Sequence, residues 1–193
     1  MLARERRATL VQLFEVGPRG SHVALSPLAA LRQIAGDPHR GLHEDTPIVN
    51  LEDATDPDTE RLMDLITEPR ALSWADSDPV HFEIDGEPVR FTELPDRRVR
   101  VTTDTAPNRF VKHVMALYAR GLRGADRASE PRAFRLLREL EALSRSGGLG
   151  AASMPAVVST ADPVIAKDRR YSRILAAYLA LARPEPHRPP APG

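Results

Sequence analysis

The segment "TDTAPNRFVKHVMALYARGLR", residues 103–123, decides how the second half of the chain folds. Apolar residues recur along it at helical spacing, which predicts an amphipathic helix from about residue 107 to 123. Pro107 suits the first turn of a helix, where its missing N–H is not needed. We expect the opposite face to be polar and exposed, with Asn108, Arg109, Lys112, His113, Arg120 and Arg123.

The polar face of this helix is open to a catalytic and to a structural interpretation. Lys112 and His113 are adjacent, so an enzyme site around them is one alternative. The structural interpretation places Asn108 near the helix start, where its amide bonds free backbone groups. Arg109 and Lys112 would then pair with Asp104, Glu130 or acidic residues of the first half. We prefer the structural interpretation.

Two further helices are predicted after this segment. One runs from about residue 130 to 146, with "GG" at 147–148 as its stop. Its expected buried residues are Phe134, Leu137 and Leu140, flanked by Leu136 and Leu143. Because the connection between the first two helices is short, they should form an antiparallel hairpin. The other helix, at 169–183, carries Tyr171.

The first half of the chain has mixed signals. "SPLAALRQIAG" at 26–36 predicts a helix capped by Ser26, whereas residues 5–16 fit either a helix or a strand. "VHFEIDGEPVRF" at 80–91 predicts a β-hairpin around its "DG". "RRVRVTT" at 97–103 predicts a third strand with its valines, Val99 and Val101, facing inward, and residues 37–57 a long acidic loop.

These signals predict an α+β fold: a mixed N-terminal part with a β-hairpin or small antiparallel sheet, then the helical hairpin and a further helix. We expect a mixed domain at 1–103 and a helical region at 104–183. The tail at 184–193 is proline-rich and predicted to be disordered.

Charge is divided unevenly along the chain. Residues 1–100 carry 12 basic and 19 acidic side chains, and residues 101–193 carry 15 and 8. Two halves of opposite net charge either bind different partners or pack against each other. There is no cysteine, which excludes disulfides and thiolate metal sites. No apolar run approaches the roughly 20 residues that span a bilayer, so we expect a soluble, cytoplasmic protein.

Motifs for catalysis or metal binding are missing or incomplete. His39 and His43 have the spacing of helical metal ligands, but Pro38 and Gly41 indicate a loop. "PD" occurs at residues 95–96, yet no acid-x-lysine follows for a PD-(D/E)xK nuclease. The glycines of "SGGLGAAS" at 146–153 lack the lysine of a phosphate loop. We therefore expect no catalytic residue, no metal site and no cofactor.

Arginines cluster on the predicted helical hairpin. Together with Arg109, Lys112 and His113, the candidate binding residues are Arg120, Arg123, Arg135 and Arg138. They fit a surface for nucleic acid phosphates or for an acidic protein. The alternative is the solvated face of two amphipathic helices.

The stretch "TAPNRFVKHVMALYARGLR" at 105–123 resembles the "TPENRFVKHxL" signature of McrC-like proteins. In these bacterial proteins a domain of unknown function precedes a PD-(D/E)xK nuclease domain. "DPVIAKDRRYSRILAAYLALA" at 162–182 occupies the place of the family's "Y-R" helix. The resemblance covers roughly residues 97–183. The signature residues, for which it implies a structural role, are Pro107, Asn108, Phe110, Tyr171 and Arg173.

The resemblance implies a role in restriction or anti-phage defence, with the nuclease domain missing from this sequence. McrC-like proteins pair with an AAA+ nucleotide-hydrolysing motor of the McrB type. We therefore expect a non-catalytic adaptor module that docks to such a motor, to a separately encoded nuclease, or to both. The alternative is a DNA-binding module that uses the basic C-terminal half.

Overall fold

The computed structural model describes residues 2–18, 25–65, 72–74, 82–84 and 86–182, and it confirms the predicted α+β class. The helices are α1 (Leu2–Glu15), α2 (Pro27–Gly36), α3 (Thr59–Leu65), α4 (Ala106–Leu122), α5 (Pro131–Leu143), α6 (Gly147–Ala151), α7 (Pro163–Lys167) and α8 (Arg169–Ala182). The strands are β1 (Gly41–Asp45), β2 (Ile48–Asn50), β3 (Leu72–Trp74), β4 (Phe82–Ile84), β5 (Glu87–Phe91), β6 (Glu93–Pro95) and β7 (Arg98–Thr102). None of the helices within these ranges has the length and apolar character needed to cross a bilayer.

The chain divides into two compact units. The helical unit comprises the described residues within Met1–Gly41 and Thr103–Gly193, and the strand unit spans Leu42–Thr102. The predicted boundary near residue 103 is present, but residues 1–41 belong with the C-terminal helices rather than with the strands. The reason is packing, because α1 and α2 share one apolar core with α4, α5 and α8. The predicted tail at 184–193 lies outside the described residues.

Aromatic side chains occupy the centre of the helical unit. The rings of Phe14 in α1 and Tyr118 in α4 are tilted against each other, with centroids 4.5 Å apart. The Tyr118 hydroxyl donates a buried hydrogen bond of 3.0 Å to the carbonyl of Ala177 in α8. Burial of such large rings supplies much of a core's apolar area, and here it joins three helices that are far apart in sequence.

The two N-terminal helices follow from local signals of different strength. Residues 5–16, which fit two interpretations, are helical and bury Leu10, Val11 and Phe14 on one side. The α2 helix has the predicted cap: the Ser26 hydroxyl accepts from the Ala29 N–H at 3.2 Å. This bond satisfies one of the free N–H groups of the first turn.

The predicted hairpin of α4 and α5 is present, but two details of α5 differ. The helix ends at Leu143, and the two glycines at 147–148 begin α6 instead of ending α5. Its buried residues are Ala133, Leu136 and Leu140, whereas Phe134 and Leu137 are only half-buried. The small Ala133 faces the core in place of the larger Phe134. The buried face of α5 is therefore rotated by about one residue from the predicted face.

The strand unit contains three small sheets among its described residues. The predicted hairpin is confirmed: β4 pairs antiparallel with β5, Phe82 opposite Val89, and β3 lies on the other side of β5. The prediction of a loop at 37–57 is wrong for β1 and β2, which pair with β7 and β6, and for a 3-10 turn at Leu51–Asp53. The partner strands lie some 40 or more residues later, where local signals cannot reveal them.

The predicted inward orientation of the valines in β7 is wrong. The strand exists, but Val99 is 58% and Val101 is 64% exposed, and Leu42 in the paired strand β1 is 77% exposed. A two-stranded ribbon buries an apolar face only when another layer covers it. We call β1 and β7 with these three side chains the apolar ribbon.

Candidate functional site

The polar residues at the start of α4 are engaged with the rest of the helical unit. Asn108, predicted to be exposed, is fully buried. Its Nδ2 donates to the carbonyls of His39 at 2.8 Å and of Thr103 at 2.7 Å. A buried amide is tolerated because these bonds replace those it made to water.

Tyr171 completes this arrangement from α8. Its hydroxyl donates to Oδ1 of Asn108 at 2.5 Å and accepts from the backbone N–H of His39 at 2.9 Å. Burial raises the pKa of the Tyr171 hydroxyl to about 12, so it stays protonated and able to donate at neutral pH. We call Asn108, Tyr171, His39 and Thr103 the Asn108–Tyr171 network. It ties the connection after α2 to the starts of α4 and α8.

Arg109 makes the predicted pair with Asp104. The guanidinium donates two bonds of 2.8 Å to the carboxylate, from Nε and Nη2, which is the bidentate geometry of a strong ion pair. The Asp104 Oδ1 also accepts from the backbone N–H of Ser153 at 2.7 Å and from its hydroxyl at 3.1 Å. The Arg109 bonds hold the pKa of the Asp104 carboxyl well below its usual range. The pair therefore holds the segment after α6.

Lys112 binds carbonyls and not an acidic side chain. Its ammonium donates to the carbonyl of Gly150 at 3.1 Å and to that of Ala152 at 2.5 Å. These carbonyls lie at the end of α6, where a cation is favourable because helical C=O groups lack partners there. The predicted alternative partner, Glu130, instead accepts from Arg7. Lys112 thus closes a second link between α4 and α6.

Phe110 and His113 contact the same ring. Phe110 is buried and meets Tyr178 edge-on, with centroids 5.6 Å apart. His113 is half-buried, 6.2 Å from the Tyr178 ring. Among the described residues, the His113 ring has no hydrogen-bond partner. Lys112 and His113 are neighbours in sequence, but Lys112 donates to carbonyls at the end of α6 and His113 contacts the Tyr178 ring. The remaining signature residues are Pro107, which is buried in the first turn of α4, and Arg173, which is half-buried on α8.

The candidate arginines of the hairpin divide into two groups. Arg138 forms an exposed pair of 3.0 Å with Glu141. Arg120, Arg123 and Arg135 are exposed and make no ion pair with any part of the chain that the structure describes. Three cations of the predicted basic surface therefore remain available to a partner.

The two histidines of the rejected metal motif serve different segments. His39 lies in the connection after α2, where its Nδ1 is 3.3 Å from the Thr105 hydroxyl, and His43 is exposed in β1. Among the described residues, no three metal-ligating side chains come together.

Asp96 of the "PD" dipeptide is a buried structural carboxylate. Its Oδ1 accepts from the backbone N–H groups of Thr55 and Asp56, both at 2.7 Å, and its Oδ2 accepts from Arg98 at 2.7 Å. These bonds, led by that from Asp56, lower the pKa of the Asp96 carboxyl to about 2. The carboxylate is committed to holding the turn at residues 54–57.

Sequence reasoning did not find several of these residues. The carbonyls of Gly150 and Ala152 accept from Lys112, and Ser153 donates to Asp104 through its backbone N–H and its hydroxyl. Most of these are backbone atoms, which leave no signal in a sequence. Asn108 and Tyr171 both belong to the signature, but nothing in the sequence indicates that they touch.

The sequence matches one known protein family. Residues 19–146 match the family model described as "Domain of unknown function (DUF2357)", which is more than half of the chain. The chain belongs to the DUF2357 family. Comparisons with curated proteins and with solved structures gave no match. The DUF2357 match includes Asn108 but ends before Tyr171, so the Asn108–Tyr171 network joins the family segment to α8.

The variant Tyr171→Phe should destabilise the protein by about 1–3 kcal/mol, because it removes the hydroxyl that bonds the buried Asn108 Oδ1 and the partly buried His39 N–H. Urea unfolding followed by circular dichroism measures the change. The matched control is Tyr178→Phe, which removes a hydroxyl that bonds to none of the described residues and should change stability little. Equal effects of the two variants would contradict the role given to the network.

The Asp96 carboxylate should make stability depend on pH. The pKa of Asp96 is about 2 in the folded protein and near 3.8 in the unfolded chain. The carboxylate therefore stabilises the fold above about pH 4, and this stabilisation is lost as the pH falls towards 2. Asp96→Asn keeps the side-chain shape but lacks the charge. The stability difference between wild type and variant should therefore be largest above pH 4 and shrink between pH 4 and 2. A constant difference across that window would refute this account.

Proposed function

We propose that this DUF2357 chain is a non-catalytic, McrC-like adaptor module of a bacterial restriction or anti-phage defence system. It docks to an AAA+ NTPase of the McrB type, to a separately encoded nuclease, or to both. The resemblance at 105–123 and 162–182 supports the partner class. The structure contributes two further kinds of support, an exposed apolar surface and polar side chains that bond within the fold.

The observation that carries the proposal is the apolar ribbon. Leu42, Val99 and Val101 are more than half exposed on paired strands, and Val99 and Val101 share one face because they are two residues apart. Contiguous exposed apolar residues mark surfaces that other molecules cover. In the described part of the chain each strand of this ribbon has one neighbour, which leaves an edge open for strand addition. A docking module fits these features.

The polar side chains of the signature support a non-catalytic role. Asn108, Arg109 and Lys112 each direct their hydrogen bonds to other segments of the same unit. A catalytic group must be free to reach a substrate. The acidic residue of the "PD" dipeptide is likewise committed to backbone N–H groups. These residues therefore hold the fold and leave recognition to the surface.

The double variant Val99→Thr/Val101→Thr should weaken capture of the partner, because it keeps the β-branched shape and removes apolar contact area. The measurement is co-purification of the chain with any AAA+ NTPase and any nuclease that its neighbouring genes encode, each expressed with it in turn. We expect the wild type to retain at least one of them and the double variant to lose most of it. Val157→Thr is the matched control, because Val157 is 83% exposed outside the ribbon.

Failure of both neighbouring proteins to co-purify with the wild type would refute the adaptor function. If they co-purify equally well with the double variant and with Val157→Thr, the adaptor function stands and the ribbon is not its docking surface.

A second candidate function is DNA binding. It is favoured by three exposed arginines that make no ion pair with the described residues, Arg120, Arg123 and Arg135. Several other basic groups on or beside the hairpin are bound to acidic residues, so this candidate has fewer free cations than a typical phosphate-binding face. It is therefore the weaker of the two.

If DNA binds, log Kd for a labelled duplex should change linearly with log salt concentration. Changing all three arginines to Gln should lower the slope by roughly 0.9 for each phosphate that the variant no longer neutralises. Arg138→Gln is the control, because its guanidinium is already held by Glu141. Anisotropy titrations that show no binding at low salt would exclude this candidate.

A further inference from the structure

A groove in the helical unit combines an apolar floor with a basic rim. It lies between α1, α4 and α8 and has a volume of about 580 Å³. Its lining residues are Ala3, Arg6, Arg7, Leu10, Leu117, Arg120, Gly121 and Leu181. The volume falls within the range of roughly 300–1,000 Å³ that is typical of binding clefts.

The floor of the groove is made by three leucines. Leu10 is nearly buried, and Leu117 and Leu181 are half-buried. Gly121 brings the helices close, because a Cβ there would lie only 2.6 Å from Cδ1 of Leu10. The close approach of α1 and α4 leaves the leucine side chains as an apolar base that is partly open to solvent.

The rim of the groove carries positive charge that is not neutralised within the described chain. Arg7 is bound to Glu130, with the Nε atom 2.9 Å from Oε2. Arg6 and Arg120 are exposed and have no ion pair with described residues, and no acidic side chain is among the lining residues. Two exposed guanidinium groups without an ion pair to the described residues therefore flank the leucines.

From this combination we infer that the groove binds an acidic amphipathic helix of a partner protein. The helix would place apolar side chains on Leu117 and Leu181 and its carboxylates against Arg6 and Arg120. Helix-in-groove recognition uses apolar anchors at helical spacing, and charge complementarity at the rim directs the approach and sets the orientation.

Other occupants fit the groove less well. A nucleic acid backbone presents phosphates and gains nothing from a floor of leucines. The chain's own residues 183–193 contain two arginines and one glutamate, so their charge opposes binding at a basic rim. The inference rests on the proposed adaptor function and deepens it, because it specifies that one partner contributes an acidic amphipathic helix.

The test uses the full chain and a fluorescent synthetic helical peptide with leucines at i, i+3, i+4 and i+7 and glutamates beside them. Anisotropy should show saturable binding that weakens about tenfold in Arg6→Glu/Arg120→Glu, as expected when two exposed ion pairs are removed. Leu117→Ala should also weaken it. The control Arg127→Glu/Arg145→Glu makes the same change in net charge at exposed arginines outside the groove and should bind normally.

A peptide in which lysines replace the glutamates tests the charge without altering the protein, and it should not bind. Equal binding of the two peptides, or an equal reduction of binding in the two arginine pairs, overturns the inference. Displacement of the peptide by duplex DNA assigns the groove to nucleic acid and also overturns the inference. A dimer of the wild type that dissociates only in Arg6→Glu/Arg120→Glu assigns the groove to a second copy of the chain and overturns it as well. If the wild type captures the AAA+ NTPase or nuclease but does not bind the peptide, the adaptor function stands and the groove inference fails. If the wild type binds the peptide but captures neither protein, only the adaptor function is refuted.

Discussion

The helical unit depends on satisfying one buried carboxamide. Asn108 lies away from water, where an amide without hydrogen bonds costs several kcal/mol, of the order of 2–7. Its partners are the carbonyls of His39 and Thr103 and the hydroxyl of Tyr171. All three must be in place together, so the connection after α2, the start of α4 and the start of α8 are fixed by the same bonds. Two links to the region of α6 extend this arrangement: one from Lys112, and one from Asp104, which Arg109 holds in place.

Local signals account for the helices and the hairpin but not for the buried polar contacts. Ser26, Pro107 and the apolar periodicity fix where helices begin and which side they bury, because capping and amphipathicity act within one or two turns. The burial of Asn108 depends on Tyr171, 63 residues away, and a polar residue type favours the opposite expectation. Sequence resemblance singles out both residues without indicating that they form a bond.

The strands illustrate a second limit of local signals. Alternation of valines in β7 correctly indicates a strand, since side chains alternate between faces. It does not say whether a second layer covers either face, and in the ribbon of β1 and β7 the side chains of Val99 and Val101 remain exposed. The pairing of charges is limited in the same way. Arginines are evident in the sequence, but an acidic partner can lie on another helix, as Glu15 does for Arg132. Which cations remain free follows only from the fold.

The order of segments also constrains how the protein is made. The helical unit is interrupted by the strand unit, and the bond from the His39 N–H to Tyr171 closes a separation of 132 residues. During synthesis α1 and α2 leave the ribosome long before α8 exists to cover them, so Phe14, Leu31 and Ile34 stay without their core. The strand unit is continuous in sequence, so its contacts join residues that are closer along the chain. A nascent chain that has not yet reached α8 therefore exposes the apolar faces of α1 and α2 and leaves the Oδ1 of Asn108 without the Tyr171 hydroxyl.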